Sequence, residues 1–169
     1  MFRHRDKEKT LQEQEIKIQR KIAFASGLFE GDVTVRSLLE SLSEGVVVFD
    51  YTGTILLLNA AAEQMFDFQR KDLIGKQQVI IIPELFRKIS DEYGVTFFEE
   101  PWIKPTVPLH DLAGRRRDGS EFPAEISLNR IETINGVLVM AQVSDITERM
   151  QLETEIKDAR EYAENIDFR

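Results

Sequence analysis

Residues 114–153 read GRRRDGSEFPAEISLNRIETINGVLVMAQVSDITERMQLE, and the succession of periods within them decides the fold. Asp118-Gly119 and Asn135-Gly136 are two-residue hairpin turns, because such turns need backbone conformations that Gly, Asn and Asp adopt at low cost. Between them EFPAEISLNR alternates, with Phe122, Ala124, Ile126 and Leu128 on one face and Pro123, Glu125, Ser127 and Asn129 on the other. After the second turn VLVMAQVS is apolar on both faces, as a central strand is. At Asp145-Ile146-Thr147 the alternation stops. Leu152, Ile156, Ala159, Ala163 and Ile166 then follow at spacings of 4, 3, 4 and 3, a helical stripe of coiled-coil character.

Upstream, TVPLHDLAGR (106–115) supplies the strand before the first hairpin turn, and PWIKPTVP (101–108), with three of the five prolines, is an extended connector. GVVVFD (45–50), a turn at 51–53 and TILLLN (54–59) form a further pair buried on both faces. Short helices fit between this pair and residue 106: AAAEQMF capped by Asn59, KDLIGK ended by Gly75, and ELFRKISDEY with Leu85, Phe86, Ile89 and Tyr93 at helical spacing. Five strands with helices inserted after the second make an α+β domain built on an antiparallel sheet. Ahead of it residues 1–30 form a helix with Leu11, Ile18, Ile22, Ala25 and Phe29 in an a/d-like series that includes Glu15. Gly27 and Gly31 weaken it, and VTVRSLLESLSEG restarts a helix carrying Val35, Leu38, Leu39 and Leu42. The expected division is an N-terminal helix (1–32), a core (33–144) and a C-terminal helix (145–169).

The formal net charge of −8 argues against nucleic acid as the main partner. The acidity is uneven: residues 1–22 hold seven Lys and Arg against four Asp and Glu, while residues 145–169 hold eight acids against four bases. No apolar run approaches the roughly 20 residues of a membrane span, and the charged N-terminus lacks a signal-peptide stretch, so a cytoplasmic location is expected. With no Cys and two His, the chain has no disulfide framework, thiolate metal site or cysteine–flavin adduct, and no multi-histidine metal centre.

Taken together, GRRRDGSEFPAEISL, the Asp145-Ile146-Thr147 triplet and EGVVVFDYTGTILLLNAAAEQMF resemble the PAS sensor domain family over about residues 33–150. The resemblance implies a PAS fold: a five-stranded antiparallel sheet with short helices over one face, a pocket beneath them, and flanking signalling helices that pair two subunits. It assigns pocket positions to His110, Leu112, Gly114, Phe122, Ala124, Ile126, Leu128, Val139, Ala141 and Val143, with Phe86, Ile89 and Tyr93 as the lid. It turns Leu138, Met140 and Gln142 toward the N-terminal helix. Asp145, Ile146 and Thr147 would be the signal junction, although an ordinary helix cap explains the same residues. The homodimer interface would comprise Leu11, Ile18, Ile22, Ala25, Phe29, Leu38, Leu42, Leu152, Ile156, Ala159, Ala163 and Ile166; the alternative is that each stripe packs on its own core.

The implied function is that of a sensory module in a two-component system, relaying small-molecule or interface-driven change to an output domain outside this chain, such as a histidine kinase. The alternatives are a ligand-free dimerisation scaffold and a sensor holding non-covalent flavin. Haem-binding relatives take an iron ligand from the helix before the third strand, and residues 84–98 contain no His, so haem is not expected. His110 is either a proton-linked ligand contact or a strand histidine bonded to backbone. Trp102 is either a stacking group or an ordinary core or loop residue. Arg115-Arg116-Arg117 suggests an anion contact or, preferably, solvated charge beside a turn. Glu99-Glu100 and Asp91-Glu92 lack the apolar cage that would raise a carboxyl pKa for catalysis. His4-Arg5-Asp6 spells a kinase catalytic-loop tripeptide without the Asn or Gly-rich loop that must accompany it. No catalytic constellation remains, and an enzyme is not expected.

Overall fold

The computed structural model describes residues 2–30, 33–93 and 106–167, and the side chains of 7–25, 27, 36–92 and 109–166. Trp102 and Glu99-Glu100 lie outside the described residues, as do the side chains of Phe29 and Tyr93.

The order is α1 (Phe2–Glu30), α2 (Val33–Ser41), β1 (Gly45–Asp50), β2 (Ile55–Leu58), α3 (Ala60–Phe66), α4 (Arg70–Leu73), a 3₁₀ turn (Gln78–Ile80), α5 (Leu85–Tyr93), β3 (Thr106–Arg115), β4 (Glu121–Thr133), β5 (Gly136–Asp145) and α6 (Thr147–Asp167). The strands form one antiparallel sheet in the order β2-β1-β5-β4-β3. The last strand therefore lies at the centre beside the first, and the two helical arms leave from neighbouring strand ends. Among the described residues no helix is long and apolar enough to cross a membrane.

Both faces of the central strands are covered, which accounts for their unbroken apolar runs. Val47, Phe49, Val139, Ala141 and Val143 point to the inner face, where they pack with Phe66, Leu73, Leu85 and Ile89 of α3–α5. Val46, Val48, Leu56 and Leu138 point outward and pack under Ala25, with Ile22, Leu39 and Met140 against them. Gly27 does not interrupt α1, which runs on to Glu30.

Two buried polar groups fix the N-terminal helices. The Asn59 amide is fully used: its oxygen accepts from the Val46 and Ala62 N–H groups at 2.8 and 3.0 Å, capping α3, and its nitrogen donates to the Leu39 and Glu44 carbonyls at 2.9 and 3.0 Å. That single side chain joins α2, β1 and α3. Asp50, 2% exposed, holds α1: Oδ2 meets Lys21 Nζ at 2.7 Å, and Oδ1 accepts from the Thr52 N–H, the Thr52 hydroxyl and the Thr54 N–H. Burial works against the Asp50 charge. The hydrogen bonds from Lys21, Thr52 and Thr54 outweigh it and hold the carboxyl below its ordinary 3.8.

A carboxyl with a depressed folded pKa contributes stability that is complete above its unfolded pKa and is lost as pH falls through the folded value. Urea midpoints recorded from about pH 6 down to about pH 3 should therefore fall more steeply for the native chain than for Asp50→Asn. Equal slopes would mean that this carboxylate has no depressed pKa.

Candidate functional site

The expected pocket positions on β4 and β5 are gathered as the pattern suggested. Phe122, Ala124, Ile126, Leu128, Val139, Ala141 and Val143 are buried on the inner face, joined there by Leu112 and Ile89. Phe86 packs on this cluster with its ring tilted against Phe49 at 6.0 Å, and Phe66 meets Phe122 at 5.5 Å. Gly114 faces the Phe122 ring: a Cβ added there would lie 2.2 Å from Phe122 Cζ, so the missing side chain is the space that the ring fills.

His110 is not among them. Leu109 pairs with Ile126 and Leu112 with Ala124, which is three steps along β3 against two along β4. The extra residue is a β-bulge, with Asp111 at φ 59°, a conformation that Asp tolerates better than most residues. The bulge reverses the alternation, so Leu109 is buried and His110 turns outward with 65% of its side chain exposed. Its Nδ1 lies 3.9 Å from Glu125 Oε2. A count by twos back from Gly114 could not find this, because nothing in PLHDL distinguishes a bulge from a regular strand.

The β3–β4 turn and the root of α6 form the second part of the site. Asp118 Oδ1 accepts from Ser120 N–H at 2.9 Å, and the Arg117 N–H donates to the Phe66 carbonyl, seating the hairpin on the end of α3. The three arginines are not simply solvated: Arg115 pairs with Glu121 at 3.0 Å, Arg116 with Asp145 at 3.4 Å and Arg117 with Asp72 at 3.9 Å. Asp145 Oδ1 accepts from the Thr147 N–H and hydroxyl, while the Ile146 N–H donates to Pro123 O. One turn on, Arg149 donates to Glu125 at 2.7 Å. That hydrogen bond and the guanidinium charge keep the Glu125 carboxyl below its usual range. Sequence reading identified the triplet and weighed the arginine run as an anion contact or solvated charge, but it could not pair Arg116 with Asp145 or Arg149 with Glu125, since nothing local pairs a turn arginine with an aspartate 29 residues away.

Beyond that first turn α6 is bare. Every side chain from Glu148 to Ile166 is exposed, with Leu152, Ile156 and Ile166 at 52, 55 and 53%. The N-terminal stripe divides differently. Leu11 is exposed, and so are Leu38 on α2 and Leu42 just after its end. Ile18 and Ile22 line an open cleft of about 440 Å³ against Ile74, Gly75 and Lys76. Ile22 and Ala25, expected at a subunit interface, instead pack on the chain's own sheet, and Ala25, at 0% exposure, has no surface left for a second copy.

The described residues contain no group of three or more His, Asp or Glu able to hold a metal ion. The site combines an apolar inner face, a hairpin seated on it, and a helix rooted at both and otherwise uncovered.

A PAS domain family model matches residues 43–148. The chain is 28% identical over 126 residues to the sensor protein FixL of Bradyrhizobium diazoefficiens, covering 73% of this chain and 25% of FixL. It is 22% identical over 130 residues to the cell-division control histidine kinase PdhS of Brucella ovis, covering 77% of this chain and 12% of PdhS. It thus spans a quarter or less of these relatives. Among solved structures, the PAS domain of an HTR-like protein from Haloarcula marismortui matches with a TM-score of 0.55 at 18% identity, over 69% of this chain and 98% of that one.

The bulge leads to a direct comparison. Leu109→Ala should cost about 2–5 kcal/mol in urea unfolding, as buried leucines do, while His110→Ala should stay within about 0.5 kcal/mol of the native chain. A large loss on removing His110 would return it to the interior.

Proposed function

This chain belongs to the PAS domain family, and from that premise we propose that it is a sensory module that dimerises and passes change in its inner-face cluster along α6 to an output domain. The relatives named as a sensor protein and a histidine kinase support a signal-transduction setting, with a kinase as the favoured output. The observation that carries the reading is the contrast within α6. Its first turn is bonded to β4 and β5, and its remaining turns keep an apolar stripe in water. Each Leu or Ile so exposed forgoes about 1.5–3 kcal/mol of burial, which pairing between helices recovers.

A second copy is the partner that the stripe suits. With Ile156 and Ala163 at a, and Leu152, Ala159 and Ile166 at d, Glu155 falls at g and Arg160 at the following e. Those two positions face each other between parallel strands, giving two symmetric Glu–Arg pairs. A ligand or interface that favours one packing of the inner face then biases the helix pair, which is a population shift.

The ligand-free scaffold remains a second reading, supported by inner-face side chains that fill space against one another through the Phe49–Phe86 and Phe66–Phe122 contacts. Native mass spectrometry and a visible absorption spectrum of the purified protein separate the two: a co-purifying small molecule or a flavin band supports a cofactor-bound sensor, and neither supports the scaffold.

For the relay, the chain should sediment as a dimer at micromolar concentration and Ile156→Asp should shift it to monomer. Because the native chain has no Cys, single substitutions Leu152→Cys, Ala159→Cys and Ile166→Cys report register cleanly. All three should form self-linked dimers on mild oxidation if the helices run parallel. Sedimentation as monomer, unchanged by Ile156→Asp and with none of the three cross-linking, would overturn the proposal.

A further inference from the structure

We propose that Arg116 is the positioning residue through which movement of the inner core reaches the root of α6; the inference rests on the reading above that α6 carries the output. The Phe122 ring is 2% exposed, leans on Phe66 at an interplanar angle of 50°, and occupies the space left by Gly114. The Arg116 guanidinium lies over that same ring, 4.6 Å from its centroid, and its Nη2 donates to Asp145 Oδ2 at 3.4 Å. The other carboxylate oxygen, Oδ1, accepts from Thr147 in the first turn of α6. One cation therefore touches both a core ring and the helix-capping carboxylate.

The geometry makes the coupling directional. A cation held over a ring face follows that face, because the attraction depends on its alignment with the ring. When the ring tilts or slides, the guanidinium moves with it, and Asp145 either follows or loses its partner. Other ties at the root do not have this property. The Ile146 N–H bond to Pro123 O and the Arg149–Glu125 pair attach α6 to β4, by backbone and by side chains that are not on the inner face. They hold the helix in place, and Arg116 links its cap to the state of the interior. The backbone of Arg116 is itself fixed by the turn, its N–H donating to Ser120 O at 2.8 Å, so a shift of the ring is taken up by the side chain.

Two substitutions move the ring from opposite directions without touching Arg116 or Asp145. Gly114→Ala adds a Cβ that must push it, and Phe66→Leu removes a ring on which it rests. Amide hydrogen exchange at Thr147 to Met150, in the full chain, reads the helix root; far-UV circular dichroism checks that each variant is folded, and either substitution suffices if the other is not. With Arg116 present, each should change exchange at these amides by about threefold, the size of a modest cation–ring contact. In the Arg116→Gln background the change should vanish, and Arg116→Lys, which keeps the charge near Asp145 without the guanidinium over the ring, should restore only part of it. An equal response with Arg116 and with Gln overturns the proposal and leaves the relay reading intact. No response in any background overturns both.

Discussion

Strands β1 and β5 carry apolar side chains on both of their faces, and a sheet built this way has to be covered twice. The requirement arranges the rest of the molecule. Helices α3–α5 cover the inner face, enclosing a cluster rich in Phe, Ile and Leu, and α1 covers the outer face in the same chain. Because β5 pairs with β1, the end of the strand that launches α6 lies beside the start of the strand that follows α2. Both arms are thus tied to one pair of central strands.

The attachments differ in kind from the core they connect. Inside each layer the contacts are apolar and close; the N-terminal helices share in that packing through Ile22, Ala25 and Leu39, and both arms add polar ties: Lys21 on Asp50, Glu40 on Arg70 and Ala60 N–H, Arg116 on Asp145 and Arg149 on Glu125. Arg70 also pairs with Glu63, and these two carboxylates raise its already high pKa, so the guanidinium that holds α2 stays charged at any ordinary pH. Exposed pairs of this sort contribute little each and are weakened by salt. Apart from the nearly buried Asp50, they serve to orient the arms more than to hold the domain folded.

The strands, the hairpin turns at Asp118-Gly119 and Asn135-Gly136, and the α6 stripe were legible in the sequence because each depends on near neighbours. Alternation of apolar and polar residues reports which face is buried, and two-residue turns report where the chain reverses. What escaped depends on partners far along the chain or on a local irregularity. The run of arginines beside the turn looked solvated, since Asp145 and Asp72 come close only after the sheet and α4 form. Ile22 and Ala25 carried a stripe equally suited to a second chain or to the chain's own sheet, and packing on Val46, Val48 and Leu138 chose the latter. His110 was misassigned because one inserted residue in β3 inverts the parity of everything before it.

That same irregularity has a bearing on how the molecule meets copies of itself. β3 is the terminal strand of the sheet, and an edge with a regular ladder is a template on which another polypeptide can add by backbone hydrogen bonding. The bulge at His110 and Asp111 breaks the ladder midway and sets two ionisable side chains facing solvent, so an incoming strand would meet a kink and polar groups where it needed a straight row of amides. Among the described residues this edge therefore lacks the unbroken ladder that strand addition requires, and His110 is part of the break.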